Sequence, residues 1–333
     1  MVWLTFLASA TIIALASLQL ARHGDVIAIR SGLGGLFMGT LLIAAVTTLP
    51  EILVLVNAIS AGMPDLAIGG LLGSNMFNML VLAILDMLHQ KQRFLRKAAM
   101  RHALTGSLAV LMITLVIVYI YADFTAVLRV GPLAVGADSL VLIAVYVLGL
   151  RQIEKQARSL MPLGAAEPSE EGLPSLKTSL LWFAGAALVL VFVTPRLVAA
   201  SGEIAEITGL GTTFIGATLL AVVTSIPELA TSISAVRIGA DDMAIGNLFG
   251  SNMFGMALLG LTDIFMLRQH LFTSISDSYL LVAMIGLLMT IVGLISNLAN
   301  LERRLFFIEM DALLLIILYF GGLFLLYSRG IVF

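Results

Sequence analysis

The chain has 333 residues, of which 60% are hydrophobic and 11% are charged, and its formal net charge is −2 at pH 7. This composition excludes an ordinary soluble globular domain, and the small acidic charge excludes an electrostatic nucleic-acid binder. Because the chain has no cysteine, disulfides and thiolate metal sites are excluded as well. The composition is typical of a polytopic protein of the lipid bilayer.

Apolar runs of about 20 residues, long enough to cross a bilayer as helices, recur about ten times along the chain. The predicted spans are residues 2–20, 33–60, 66–88, 101–121, 132–150, 179–200, 210–236, 243–265, 275–298 and 307–327. The first run has no basic residues before it, so we expect a retained helix rather than a cleaved signal peptide. The predicted fold class is therefore an all-α polytopic membrane protein with about ten transmembrane helices.

A polar segment divides these spans into two groups of five. Residues 151–178 are rich in charges and prolines, a composition typical of a surface linker. We predict a first membrane repeat in residues 1–150, a cytoplasmic linker, and a second repeat in residues 179–333. An odd number of helices in each repeat inverts the second, a plan common among secondary transporters. The distribution of Lys and Arg favours both termini outside.

The second predicted span holds a proline and a carboxylate, Pro50 and Glu51, within an apolar run. An ionisable residue in a spanning segment normally faces a protein interior or a water-filled path, so Glu51 is a functional-site candidate. Pro50 cannot donate a helical hydrogen bond to the Val46 carbonyl. Backbone oxygens in residues 44–47 are then free to bind something else. A carboxylate that only caps the half-helix is the disfavoured alternative, because a cap could stand outside lipid.

The same stretch recurs 177 positions later, with Pro227 and Glu228 in place of the earlier pair. We call residues 39–87 the first copy and residues 216–264 the second copy. Without a gap, the two copies match at Pro, Glu, Asp, Gly, Ser and Asn, which a shared apolar composition alone does not produce. We interpret them as an internal duplication.

Each copy places residues whose oxygen atoms could bind a cation on one helix face. With spacings of i, i+3 and i+7, they are Ala44, Thr47 and Glu51 in the first copy and Ala221, Thr224 and Glu228 in the second. If inverted repeats bring these faces together, they form an all-oxygen cage with two formal negative charges. Such a cage suits a hard divalent cation such as calcium.

A second duplicated motif, Gly-Ser-Asn-Met-Phe, follows at residues 73–77 and again at residues 250–254. Gly73 and Gly250, which begin the two motifs, each follow another glycine by four positions. This spacing permits close helix approach. Close approach would bring the hydroxyls of Ser74 and Ser251 within reach of the carboxylates. Asn78 lies one turn beyond Ser74 on the same face.

These two motifs, each present twice and in the same order, resemble the alpha repeats of the calcium/cation antiporter superfamily, close to prokaryotic sodium/calcium exchangers. The matching stretches are Thr-Thr-Leu-Pro-Glu at 47–51 and Gly-Ser-Asn-Met-Phe-Asn at 73–78, then Thr-Ser-Ile-Pro-Glu at 224–228 and Gly-Ser-Asn-Met-Phe at 250–254. The resemblance implies exchange of calcium for sodium by alternating access. It also implies that the first and sixth helices slide against the rest.

The resemblance further implies a role for each residue of the motifs. Glu51 and Glu228 would be the main calcium ligands, assisted by oxygens of Thr47 and Thr224. Asn78 would line the centre. The implied sodium sites share both glutamates and draw on Ala44, Thr47, Ser74 and Ser225 on one side and on Ala221, Thr224 and Ser251 on the other.

Two positions depart from the family pattern. Gly255, the counterpart of Asn78, stands where many relatives carry Asp or Asn, and Gly70 replaces the Asn usual at its position, which is present in the second copy as Asn247. The middle of the expected site therefore lacks one oxygen ligand. For this reason the sequence does not predict ion selectivity or stoichiometry.

Other functions remain open at this stage. The same carboxylates could carry protons, which gives a proton-coupled antiporter of calcium or another divalent cation. A channel is a further alternative, whereas an intramembrane protease using Asp86 and Asp263 is disfavoured because both lack a Gly-x-Gly-Asp context. Motifs of conventional enzymes are missing from the sequence.

The expected substrates are calcium and sodium, or protons in the alternative reading, and the expected surrounding is a lipid bilayer. We expect a prokaryotic inner membrane protein. No cofactor, nucleic acid or obligate protein partner is predicted from the sequence.

Overall fold

The computed structural model describes residues 1–30, 46–88, 99–122, 127–130, 133–160, 172–237, 239–265, 278–298, 304–305 and 308–330. Its helices are α1 (Val2–Arg30), α2 (Leu49–Ser60), α3 (Pro64–Leu88), α4 (Ala99–Ala122), α5 (Ala137–Leu160), α6 (Leu176–Thr208), α7 (Gly211–Ile215), a π-helical turn (Gly216–Leu220), α8 (Ala221–Thr224), α9 (Ile226–Arg237), α10 (Asp241–Phe265), α11 (Ser278–Leu298) and α12 (Met310–Gly330). Two short antiparallel hairpins pair β1 (Val127–Val130) with β2 (Leu133–Gly136) and β3 (Arg304–Leu305) with β4 (Ile308–Glu309).

Seven of the described helices are long and apolar enough to cross a membrane, namely α1, α3, α4, α6, α10, α11 and α12. An eighth span results if the unit from α7 to α9, bent by 42°, crosses as one. Helix α2 is about 18 Å long, too short to cross alone, and the first part of its predicted span lies outside the described residues. The all-α membrane fold is confirmed, and the count of ten helices stays a prediction.

Some predicted ends differ from the helix ends. Helix α1 continues to Arg30 and helix α5 to Leu160, ten residues into the predicted linker in the latter case. Neither extension contains proline, so helical hydrogen bonding continues past the point where the apolar run stops. Residues 133–136 form strand β2, although a helix from 132 was predicted. That prediction was wrong because a short apolar run does not by itself distinguish strand from helix.

The duplication has a structural counterpart. Helices α2 and α9 each have 12 residues and helices α3 and α10 each have 25, with bounds separated by the same 177 positions. The turns between them hold Gly62 with φ 73° and Gly239 with φ 76°, a left-handed conformation that favours glycine. The two copies therefore fold alike over these helix pairs. The division of the chain into repeats 1–150 and 179–333 stays a prediction.

Helices α3 and α10 form the centre of the described structure, because nearly all of their apolar length is buried. Helix α1 lies along α6, and α12 packs against α3 and α11. Large apolar side chains on these outer helices are exposed, among them Trp182, Phe192, Phe320 and Phe324. Exposed apolar surface of this extent suits contact with lipid.

Helix α3 touches the π-helical turn backbone to backbone. A Cβ atom added at Gly73 would lie 2.5 Å from the Cα atom of Ala217, and one added at Gly69 would lie 2.6 Å from the carbonyl oxygen of Thr213. The close approach predicted from the glycine spacing is confirmed on this face. It seats the first copy directly against the second.

Replacing Gly73 by alanine should destabilise the protein, because the new methyl group would force backbone atoms of Ala217 to move. We expect a loss of about 1–3 kcal/mol, the usual range for overpacking, measured as a lower midpoint of thermal unfolding in detergent. Gly185→Ala is the matched control, since nothing lies within 4 Å of a Cβ atom there. Equal midpoints for the two variants would contradict the backbone contact.

Candidate cation-binding site

Each glutamate of the duplicated stretch lies just after a break in its helix. In the second copy, α8 ends at Thr224, Ser225 follows with φ −93° and ψ 7°, and α9 begins at Ile226. Pro227 has no N–H and so leaves the Val223 carbonyl without its helical donor. Glu228 therefore stands in the first turn of a new helix, where unpaired amides make the local potential positive.

The first copy has the same local structure. Thr48 precedes α2 with φ −82° and ψ 5°, and Pro50 and Glu51 stand in the first turn. The Ile52 amide donates to the Thr48 carbonyl at 3.1 Å, the same bond that follows the break in the second copy. In each copy the carboxylate thus stands in the first turn of a described helix.

The two carboxylates are buried close together. Glu51 is 5% exposed and Glu228 is fully buried, and Ser225, three residues before Glu228, contacts the Glu51 carboxylate. The Ser225 hydroxyl donates to Oε1 of Glu51 at 3.4 Å, and the Thr224 hydroxyl lies beside the same carboxylate. The second copy therefore supplies donors to the glutamate of the first.

The reverse arrangement surrounds Glu228. The hydroxyls of Thr47, from the first copy, and Ser251 lie beside its carboxylate. Among the described residues, however, no group has hydrogen-bond geometry to either carboxylate oxygen of Glu228 or to Oε2 of Glu51. Buried oxygens without donors are costly. Their lone pairs are available to a cation.

Hydroxyls from both copies also meet above the carboxylates. Oγ of Ser74 lies 3.4 Å from Oγ1 of Thr224, which in turn lies 3.1 Å from the Leu220 carbonyl and 3.3 Å from the Ala221 carbonyl. The Ala221 carbonyl also accepts the Ser225 amide at 3.1 Å. Of the predicted ligands that are described, the Ala221 oxygen is consequently the least available to an ion.

Asn78 is buried at the contact of α3 with α10. Its side-chain amide donates to Oδ1 of Asn252 at 2.9 Å, and its own Oδ1 has no hydrogen-bond partner among the described residues. Asn252 is not among the site residues predicted from the sequence. The signal that could have found it is its place as the Asn of the Gly-Ser-Asn motif in both copies.

Nine of the ten predicted site residues are described, and all nine are buried: Glu51, Glu228, Thr47, Thr224, Ser74, Ser251, Asn78, Ala221 and Ser225. The tenth, Ala44, lies outside the described residues. At the two departures from the family pattern, a Cβ atom on Gly255 would lie 3.4 Å from Oδ1 of Asn75 and one on Gly70 would lie 3.4 Å from Cδ2 of Leu220. Asn247, the counterpart of Gly70, donates to the hydroxyls of Thr231 and Ser232 at 3.2 Å each. Position 255 therefore faces the first copy, as position 78 faces the second.

A separate group of carboxylates lies further along α3. Oxygens of Asp86, Glu309 and Asp311 are all within 4.8 Å of one another, and Asp86 is about 18 Å along the helix from Ser74. The Ser296 hydroxyl and the Ala312 amide donate to Asp311. These hydrogen bonds offset part of the negative charge, and the group is distinct from the paired glutamates.

Comparison with known proteins adds a family context to this geometry. A sequence profile of the family described as "Sodium/calcium exchanger protein" matches residues 1–151 and 178–328. The chain is 31% identical over 239 residues to the inner membrane protein YrbG of Escherichia coli (strain K12), and the alignment covers 68% of each protein.

Two solved structures resemble the fold over nearly the whole chain. The sodium-calcium exchanger NCX_Mj, soaked with Na⁺ and Sr²⁺, has a TM-score of 0.58 and 23% identity over 97% of this chain and 98% of that one. The H⁺/Ca²⁺ exchanger CAX has a TM-score of 0.61 and 13% identity over 99% of this chain and 89% of that one. At these identities the similarity shows a shared fold.

The contact between Ser74 and Thr224 can be tested by cross-linking, because the chain has no cysteine of its own. Because the two hydroxyl oxygens lie 3.4 Å apart, sulfur atoms at these positions can approach to the length of a disulfide bond. We expect oxidation to join the two halves of a Ser74→Cys, Thr224→Cys variant that has been cleaved at a protease site inserted in residues 161–171. The readout is a denaturing gel without reductant.

The matched control for this experiment is Ser74→Cys with Ser234→Cys, because Ser234 is exposed on α9. The control should separate into two fragments after cleavage. If the cleaved Ser74→Cys, Thr224→Cys variant also separated into two fragments under the same oxidation, the described contact would be contradicted.

Proposed function

Because the chain belongs to the sodium/calcium exchanger family, we propose that it is a secondary active antiporter that moves calcium across the membrane in exchange for sodium. The observation that carries the proposal is the pair of buried glutamates, one from each copy, in which three of the four carboxylate oxygens have no hydrogen-bond donor among the described residues. Two negative charges in an apolar surrounding need a positive partner. A single divalent cation carries two positive charges and so balances both carboxylates.

The chemical types of the oxygen atoms around the two glutamates suit a hard cation. Carboxylates, carbonyls and hydroxyl oxygens surround the two glutamates, and calcium binds oxygen ligands of these kinds. In the proposal, Glu51 and Glu228 are the main calcium ligands, with help from Thr47 and Thr224, and Asn78 lines the centre. The proposed sodium ligands are the same glutamates with Ala44, Thr47, Ser74 and Ser225 on one side and with Ala221, Thr224 and Ser251 on the other.

Shared ligands explain why the two ions would exchange. Sodium and calcium compete for the same two carboxylates, so each ion displaces the other. A site emptied of both would leave two charges without partners in the protein interior, which is costly. The site therefore changes the side to which it opens more readily with an ion bound than without one. This couples the transport of calcium to that of sodium.

The packing of α1 along α6 supports a sliding unit for alternating access. The Arg30 guanidinium at the end of α1 donates to the carbonyls of Pro174 and Leu173 at 2.7 and 2.8 Å. These residues lead into α6, so the end of one helix is tied to the beginning of the other. In the proposal, the two helices move together past the central helices α3 and α10.

A proton-coupled antiporter of calcium or another divalent cation is the second candidate. Buried carboxylates without hydrogen-bond donors can accept protons in place of sodium. The structure of the H⁺/Ca²⁺ exchanger CAX has the same fold, which makes proton coupling compatible with this architecture.

The proposed location is a prokaryotic inner membrane, in keeping with the description of YrbG. Both termini would lie outside and residues 151–178 on the cytoplasmic side. The proposed mechanism uses no cofactor, no nucleic acid, no enzymatic step and no obligate protein partner.

Radioactive calcium should enter proteoliposomes of the purified protein when sodium is high inside and low outside. Glu51→Gln and Glu228→Gln keep the shape of the side chain and remove a charge that calcium requires. Because loss of even an outer-shell partner costs about 10- to 100-fold in metal affinity, we expect uptake to fall by at least about 100-fold. Glu206→Gln, at an exposed position on α6, is the control and should transport as the wild type does.

Undiminished uptake by Glu51→Gln would be incompatible with a calcium site at the paired glutamates. No uptake by the wild type under either a sodium or a proton gradient would rule out both candidate functions.

The coupling ion can be identified with the same proteoliposomes. A sodium gradient at equal pH should drive calcium uptake, and a pH gradient in sodium-free buffer should drive little or none. Uptake driven by the pH gradient alone would instead support the proton-coupled antiporter. Protein-free liposomes under each gradient give the leak rate.

A further inference from the structure

Three asparagines are buried together where α3 meets α10. Asn75 and Asn78 are each 2% exposed and Asn252 is fully buried. The side chain of Asn252 bridges the other two. Its Nδ2 donates to the Asn75 backbone carbonyl at 3.3 Å, and its Oδ1 accepts the side-chain amide of Asn78 at 2.9 Å.

This bridge fixes the orientation of the side-chain amides of Asn252 and Asn78, that is, the direction in which each presents its NH₂ group and its oxygen. A backbone carbonyl can only accept, so Asn252 has to present its NH₂ group to Asn75 and its oxygen to Asn78. Asn78 must then present its NH₂ group to Asn252. The Oδ1 atom of Asn78 is left on the other side of its amide, where it has no hydrogen-bond partner among the described residues.

We propose that Asn252 is a positioning residue, which holds Asn78 so that its carbonyl oxygen, and not its NH₂ group, is presented to the cation. The inference rests on the proposed function, since the cation is taken to be calcium. Asn78 stands one turn after Ser74, whose hydroxyl meets that of Thr224. Without Asn252, rotation about the terminal torsion of Asn78 could turn NH₂ donors towards the positive ion.

The other copy has an asparagine at the position equivalent to Asn252, but it has no side-chain amide for that asparagine to orient. Asn75 is the counterpart of Asn252, and the counterpart of Asn78 is Gly255. Oδ1 of Asn75 lies 3.4 Å from where a Cβ atom at position 255 would stand, and its Nδ2 has no hydrogen-bond partner among the described residues. Asn75 therefore offers a matched control for Asn252, because its side chain has the same composition and setting but no amide to orient.

The test is calcium binding to the full-length protein in detergent, measured by calorimetry in sodium-free buffer. We expect Asn252→Ala to weaken calcium binding by about 10-fold, as loss of a ligand's hydrogen-bond partner does in other metal sites. Asn75→Ala, which keeps the backbone carbonyl that Asn252 requires, should bind as tightly as the wild type. Should Asn252→Ala fail to fold, Asn252→Leu keeps the branching and the number of heavy atoms of the side chain and carries the same expectation.

A double-mutant cycle separates positioning from general damage to the fold. If Asn252 acts through Asn78, its replacement should have no further effect on calcium affinity in an Asn78→Ala background. An equal loss in both backgrounds would overturn the inference, as would wild-type affinity in Asn252→Ala. Failure of the wild type to bind calcium would count against the proposed function instead, and it is measured first.

Discussion

The repulsion between two negative charges held in an apolar core is the constraint on which the rest of this structure depends. Glu51 and Glu228 are both removed from water, and a different copy of the motif delivers each of them. Hydroxyls such as that of Ser225 offset part of the cost of burial, and in the proposed function a bound cation offsets the remainder. The helix breaks and prolines serve to place both charges at one point.

Placing them there requires helices to approach more closely than ordinary side chains allow. Gly69 and Gly73 let the backbone of α3 rest on the π-helical turn of the second copy. The same stretch of α3 carries Ser74 and Asn78, so the surface that packs most tightly is continuous with the surface that supplies oxygens. Packing and ion chemistry therefore constrain the same few turns of helix.

The sequence reveals the residues that are unusual for their surroundings. A carboxylate after a proline in an apolar run, found twice, identifies Glu51 and its counterpart without any coordinates. Asn252 is different, because in the sequence it looks the same as Asn75, and only the partner across the two copies distinguishes them. The fold follows a similar rule: apolar runs predict burial in lipid or protein, but not the backbone conformation of residues 133–136 or the continuation of α5 to Leu160.

The contacts between the copies have a consequence for how such a protein can evolve. Ser225 donates to Glu51 and Asn252 accepts from Asn78, while Thr47 of the first copy lies beside Glu228, so neither copy is self-sufficient. In a symmetric pair of identical subunits, every substitution would change both walls of the ion site at once. Fusion of the copies into one gene removes that restriction. One wall can then keep its asparagine at position 78 while the opposite wall carries glycine at position 255.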